Sequence, residues 1–181
     1  YKAATLESLQ ETALYVTSGE NDKEITARLK AIVAAEEPIS YPFLLRRCTS
    51  SLGVYKYGSK VESHIQALIG LCGFKEQKIM GVTYYRKTDK CLAFDKYRVE
   101  TGESLRRVET DYSPYDIVAI IRATLEDKVA LYVSEINAII ASVLRMPRLA
   151  EKFAVYINEC ISYGEQIGLF VRSVSDRISL A

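Results

Sequence analysis

Apolar residues recur three and four apart over successive stretches of this chain, then alternate, and the whole series occurs twice. From about residue 23 to 36, Ile25, Leu29, Ile32 and Val33 share one helical face, closed by Glu37-Pro38 because a proline ring cannot continue a helix. Ser40 and Pro42 open a second helix through Phe43, Leu44, Leu45, Cys48 and Leu52, stopped at Gly53. Ser59-x-x-Glu62 has capping-box spacing and starts a third, which carries Val61, Ile65, Leu68, Ile69 and Cys72 before Gly73. Phe74 to Ile79 and Val82 to Arg86 then read as strands around a short turn at Met80-Gly81 or slightly earlier.

An ungapped shift of about 92 residues lays this series on a second copy. Ile25 falls on Ile117, Leu29 on Ile121, Val33 on Leu125, Ile39 on Leu131, Leu44 on Ile136, Cys48 on Ile140, Leu52 on Leu144, Val61 on Phe153, Ile65 on Ile157 and Ile69 on Ile161. The second copy begins at Ser113-Pro114-Tyr115-Asp116, a capping serine with proline at the first helical position and an acid at the positive end of the dipole. Its hairpin runs through Leu169 to Arg172 and Arg177 to Leu180, separated by Val174-Ser175-Asp176. Three helices plus a β-hairpin is a winged-helix plan. The expected fold is therefore α+β, mainly helical: two winged-helix-like units in tandem, 23–90 and 113–181, joined by a strand-rich connector over 91–112. Residues 1–22 precede them as an arm, a short helix or extended segment over Ala3 to Val16 followed by a polar hinge from Thr17 to Asp22.

Composition narrows the functional classes. With 49% hydrophobic residues, 9 Gly and 4 Pro among 181 residues, the chain can build a core and is not disordered or low-complexity. Its 24 Lys and Arg against 23 Asp and Glu leave a net charge of +1, so bulk charge alone cannot hold a polyanion. Cys48, Cys72, Cys91 and Cys160 are scattered without a CxxC and read as reduced, buried thiols. No apolar run reaches the ~18 residues of a membrane span and no leader opens the chain, which places it in the cytoplasm. The first residue is Tyr1 rather than Met, as expected of a piece of a longer polypeptide.

The stretch Ile32-Val33-Ala34-Ala35-Glu36-Glu37-Pro38-Ile39-Ser40, followed by Leu44-Leu45-Arg46-Arg47 and Leu52-Gly53, resembles a known family. It is similar to the C-terminal domain of unknown function of very large bacterial superfamily 1 helicase-like proteins, where I-V-x-x-E-x-P-I precedes an L-x-R-R helix. The likeness continues through Gly58-Ser59-Lys60-Val61 and Tyr84-Tyr85-Arg86 and takes in roughly residues 24–181. Where family members often carry an arginine just after the Leu-Gly, this chain has Val54-Tyr55-Lys56-Tyr57. The resemblance implies a cytoplasmic accessory domain of an ATP-dependent DNA or RNA translocase, with the motor chemistry elsewhere in the polypeptide. The chain itself has no GxxxxGK[ST] loop.

Candidate chemistry is sparse. His64 is the single histidine and Glu62 lies on another side of its helix, so a structural role is expected and no catalytic residue, metal ligand or cofactor is assigned. Glu36-Glu37 and Glu126-Asp127 sit near helix ends, as solvated caps do. Nucleic-acid contact has a local footprint. Tyr55, Lys56, Tyr57 and Lys60 approach the third helix, and the first hairpin carries Lys75, Lys78, Tyr84, Tyr85, Arg86, Lys87 and Lys90. Cations interleaved with aromatics suit phosphate pairing and base stacking on DNA or RNA; the alternative is that the cations solvate the surface and the tyrosines pack. The second copy offers Arg145, Arg148 and Lys152, but a hairpin with only Arg172 and Arg177, which fits protein docking better. Arg46-Arg47 and Arg106-Arg107 are basic doublets, and one arginine of a helical doublet is expected to pair with the acid-rich first helix.

Overall fold

The computed structural model describes residues 3–87, 94, 96–98 and 111–181. The chain divides near residue 90 into two compact α+β units, each with a small three-stranded antiparallel sheet. In the first, an extended arm over residues 3–12 leads to α1 (Ala13–Thr17), whose start is capped by the Thr12 hydroxyl accepting from Tyr15 N–H at 3.3 Å. There follow α2 (Asp22–Glu36), β1 (Ile39–Ser40), α3 (Tyr41–Ser51), α4 (Ser59–Leu71), β2 (Lys75–Ile79) and β3 (Val82–Arg86). The sheet order is β1-β3-β2, with Ile39 opposite Tyr85 and Gln77 opposite Tyr84. Met80 and Gly81 form the turn of the β2–β3 hairpin, both with positive φ (50° and 79°), the backbone of a two-residue turn that matches strand twist.

The second unit runs α5 (Pro114–Glu126), β4 (Leu131–Tyr132), α6 (Val133–Val143), α7 (Glu151–Gln166), β5 (Phe170–Arg172) and β6 (Arg177–Leu180), with sheet order β4-β6-β5. Helix starts obey the sequence shift: Asp22 corresponds to Pro114, Tyr41 to Val133 and Ser59 to Glu151. The paired apolar positions named above are buried in both units except at the Leu52–Leu144 pair, where only Leu52 is buried. Each such side chain contributes on the order of 1.5–3 kcal/mol by leaving water, and these positions form the core of each unit. The shift breaks after α7, which continues past Tyr163, the counterpart of Leu71, to Gln166. Gly164 is needed there because a Cβ would lie 2.3 Å from the Phe170 ring that β5 lays on the helix.

Local signals hold in part. The Ser113 hydroxyl accepts from Asp116 N–H at 3.2 Å with Pro114 opening α5, as the sequence predicts. The capping box at Ser59 does not form: Gly58 is the N-cap, Ser59 is already helical, and Glu62 instead meets a tyrosine hydroxyl. The arm combines an extended segment with a short helix, and it packs as part of the first unit rather than as a separate piece. Cys48 and Cys160 are buried and Cys72 is partly exposed, all as free thiols; burial pushes the Cys48 thiol up to about 12 and raises those of Cys160 and Cys72. Cys91, Lys90, Arg106-Arg107 and most of the strand-rich connector lie outside the described residues. Among the described residues no helix is long and apolar enough to cross a membrane.

Candidate nucleic-acid interface

The residues nominated in the first unit come from three places: the loop before α4, the start of α4, and the β2–β3 hairpin. Tyr55 is 67% exposed and Lys56 is exposed beside it in the loop. Lys60 is exposed in the first turn of α4, where it lines a shallow open groove of about 500 Å³ with Thr17, Ser59, Ser63, His64 and Ala67. Small side chains on this face leave the helix backbone approachable. His64 itself is engaged, its Nε2 lying 2.7 Å from Asp22 Oδ1, so that it ties α4 to the start of α2. The structural role expected of this histidine is thereby given a partner.

On the hairpin, Lys75 and Lys78 are exposed, but strand alternation turns them to opposite faces. Lys75 stands opposite Arg86 in the ladder, so these two cations share a face, while Lys78 stands opposite Thr83. Arg86 is half-buried, and Lys87 is exposed with its backbone N–H donating to Glu37 Oε2. The six nominated cations thus do not form one surface: the loop and helix supply Lys56 and Lys60, and the hairpin divides the remainder.

The tyrosines divide more sharply. Tyr85 is only 6% exposed, and its ring packs 6.1 Å from that of Phe74. Burial, with the nearby charge of Glu76, raises its hydroxyl pKa. It has no open face for a base, and neither has Tyr84, which is 1% exposed and belongs to the core. A ring exposed as stacking would require is found at Tyr55 and not at the strand tyrosines, because β3 is the central strand and is covered on both faces. Tyr57 is half-buried and belongs to a cluster that spacing did not reveal. The Tyr41 hydroxyl donates to Glu62 Oε1 at 3.4 Å, and its pKa is pushed up to about 12 by burial first, then by Glu62, with Tyr85 and Tyr57 nearby. An acid accordingly sits on the exposed side of α4 beside the basic loop. No periodic pattern pairs residues 41 and 62, so only tertiary packing could disclose this.

The second unit meets its cations differently. Arg172 bonds Glu165 Oε1 at 3.0 Å and Asp176 Oδ1 at 2.6 Å, and the Arg177 guanidinium lies 4.6 Å from the centroid of the Tyr132 ring. The hairpin cations are thus engaged within the unit. Arg145, Arg148 and Lys152 are exposed, but so are Glu151 and Glu159 on α7. Val155, Val171 and Val174 stand out at 54%, 50% and 110% exposure. Among the described residues no group of His, Cys, Asp or Glu could hold a metal ion.

Compared with protein-family models, curated proteins and solved structures, the chain has no match.

Proposed function

We propose that this chain is a non-catalytic accessory domain of a bacterial helicase-like protein, built as tandem winged helices, whose first unit binds DNA or RNA. The repeated order helix, strand, helix, helix, strand, strand, with the last strand central in each sheet, supports the winged-helix reading. The sequence likeness to the helicase-associated domain supports the parent and its cytoplasmic setting. The observation that carries nucleic-acid binding is the joint exposure of Tyr55, Lys56 and Lys60 at the entry to α4, with Lys75, Lys78 and Lys87 exposed on the hairpin. In this plan the third helix of the unit approaches a groove and the hairpin meets phosphates. Tyr55 offers the one open ring for base stacking among the nominated tyrosines, and the lysines supply salt-sensitive phosphate contacts.

The test is fluorescence anisotropy with labelled duplex and single-stranded DNA and RNA over a salt series. Joint replacement of Lys56, Lys60 and Lys78 by Glu is expected to weaken binding at least tenfold, and Tyr55→Ala to weaken single-strand binding selectively. Salt-insensitive binding, or none at micromolar protein, overturns the reading.

A second reading applies to the other unit. Exposed Val155, Val171 and Val174, with hairpin arginines already engaged internally, favour a surface that docks protein, the remainder of the parent polypeptide being the expected partner. No membrane partner, cofactor or metal enters either reading.

A further inference from the structure

Residues 4–11 lie along the edge of the first unit where α2 and α3 meet, and they are held there by their main chain. Ala4 N–H donates to Glu36 Oε1 at 3.0 Å while Arg47 Nη2 donates to the Ala4 carbonyl at 3.2 Å. Arg28 Nη1 donates to the Glu7 carbonyl at 2.8 Å. Leu9 and Glu11 N–H donate to the carbonyls of Ser51 and Leu52 at 3.0 and 2.8 Å. At Gly53 the fit is closest: a Cβ there would lie 2.4 Å from the Leu9 carbonyl oxygen. The arm's side chains contribute less, since Thr5, Glu7, Ser8 and Gln10 are exposed.

The groups that grip the arm are fixed by bonds that do not involve it. Arg47 Nη2 donates to Glu36 Oε1 at 2.7 Å, with the Glu36 side chain fully buried. Arg28 is steadied by Glu24, whose Oε1 accepts from Nε and Nη2 at 3.2 and 3.0 Å. α1 has separate anchors: the Tyr15 hydroxyl donates to Glu24 Oε2 at 2.7 Å, Asn21 Nδ2 donates to the Tyr15 carbonyl at 3.1 Å, and Val16 is buried. The arm can therefore lift away at Thr12 without undoing α1 or the groove.

An edge that grips mainly amides and carbonyls, with Leu6 and Leu9 half-buried beside them, recognises an extended backbone more than one sequence. We propose that the α2–α3 edge is a receptor for an extended peptide segment, filled in this structure by the chain's own arm and fitted to take the same arm of a second copy of the chain in trans. The site uses none of the residues assigned to nucleic acid and stands independently of that reading.

The experiment uses the full chain carrying Leu9→Pro and Glu11→Pro, which removes the two arm amides bonded to Ser51 and Leu52 and leaves the groove intact. The probe is a fluorescent peptide with the sequence of residues 3–12, followed by anisotropy. The proline variant is expected to bind it at least tenfold more tightly than the unaltered chain, whose arm competes. Adding Arg28→Ala to the proline variant is expected to weaken binding at least tenfold. A folded variant that fails to bind, or binds no better than the unaltered chain, overturns the proposal. Should the variant not fold, hydrogen exchange on the unaltered chain decides. Amides of Leu9 and Glu11 exchanging at least a hundredfold faster than those of Ile32 and Val33 support a releasable arm, whereas equal rates overturn it.

Discussion

Gly53 and Arg145 occupy the same place in the two units, the residue after the cap of the middle helix, and both have positive φ, 78° and 54°. Their turns match bond for bond: Gly53 N–H reaches Ser50 and Val54 N–H reaches Thr49, as Arg145 reaches Ser142 and Met146 reaches Ala141. What differs is the use of the turn. In the first unit it receives the arm, flanked by Arg28, Glu36 and Arg47, whereas the second has Ile120, Lys128 and Ile139 at those positions. The second unit holds its upstream segment by another device. Arg98 donates from its backbone, Nε and Nη2 to the buried carboxylate of Asp116, and Phe94 stacks 5.0 Å from Tyr115. The shared apolar pattern thus specifies one scaffold, and a few polar substitutions decide what lies against it.

Arg47→Ala puts this comparison under the greatest strain. It removes the guanidinium from a fully buried carboxylate and releases the Ala4 carbonyl, so a loss of about 3–5 kcal/mol is expected in the first unit. Ile139→Ala at the matching site should cost about 1 kcal/mol or less, Ile139 being only partly buried. Urea titration followed by amide signals of each unit separates the two; equal losses would erase the distinction. Gly53→Arg comes next, at about 2–3 kcal/mol, combining the left-handed penalty with eviction of the Leu9 carbonyl. A chain that tolerates it would mean that the turns are interchangeable.

How much of this was legible beforehand follows from the same residues. Helix positions, the hairpins, the repeat and the Ser113 cap rest on short-range periodicity, which a sequence displays directly. That an arginine of the Arg46-Arg47 doublet would pair with the preceding helix was also legible, as Arg47 does with Glu36. The arm's grip was not, because backbone amides carry no residue signature and its contacts span up to 43 positions. At the candidate interface, cation exposure followed from composition. The burial of Tyr84 and Tyr85 did not, since β3 becomes central only when β1 pairs with it. Adjacent aromatics on a hairpin look alike whether the strand is at an edge or within a sheet.

Acid sharpens the contrast from the side of the second unit. Burial raises the Asp116 carboxyl, but the charge and hydrogen bonds of Arg98, with the Ser113 hydroxyl, outweigh it and hold the pKa below its usual range. A carboxylate depressed in the folded state stabilises above its unfolded value, about pH 3.9, and that contribution is lost as pH falls through the lower folded value. Asp116→Asn is expected to cost about 1–3 kcal/mol at neutral pH and to flatten the acid limb of stability in this unit. An unchanged acid limb would rule out Asp116 as its source. For binding, exchanging Lys56, Lys60 and Lys78 for Glu should weaken nucleic-acid affinity at least tenfold, about 1.4 kcal/mol. The same exchange at Arg145, Arg148 and Lys152 should leave it within twofold, and a reversed order would move the interface to the second unit.

The smallest effect is the most discriminating. Arg145 holds a left-handed conformation that an ordinary side chain adopts at a cost of about 1–2 kcal/mol, and glycine pays back part of any relief through its larger unfolded-state entropy. Arg145→Gly should therefore raise the stability of the second unit by about 0.5–1 kcal/mol, measured as a shift in urea midpoint at unchanged slope. The gain would show that glycine is preferred at this turn on backbone grounds alone, where no upstream segment is bonded to the turn among the described residues. The larger loss from Gly53→Arg could then be divided, the excess over the Arg145 value belonging to the arm. No gain, or a loss, would mean that the exposed Arg145 side chain compensates its own strain, and the Gly53 penalty could no longer be apportioned in this way.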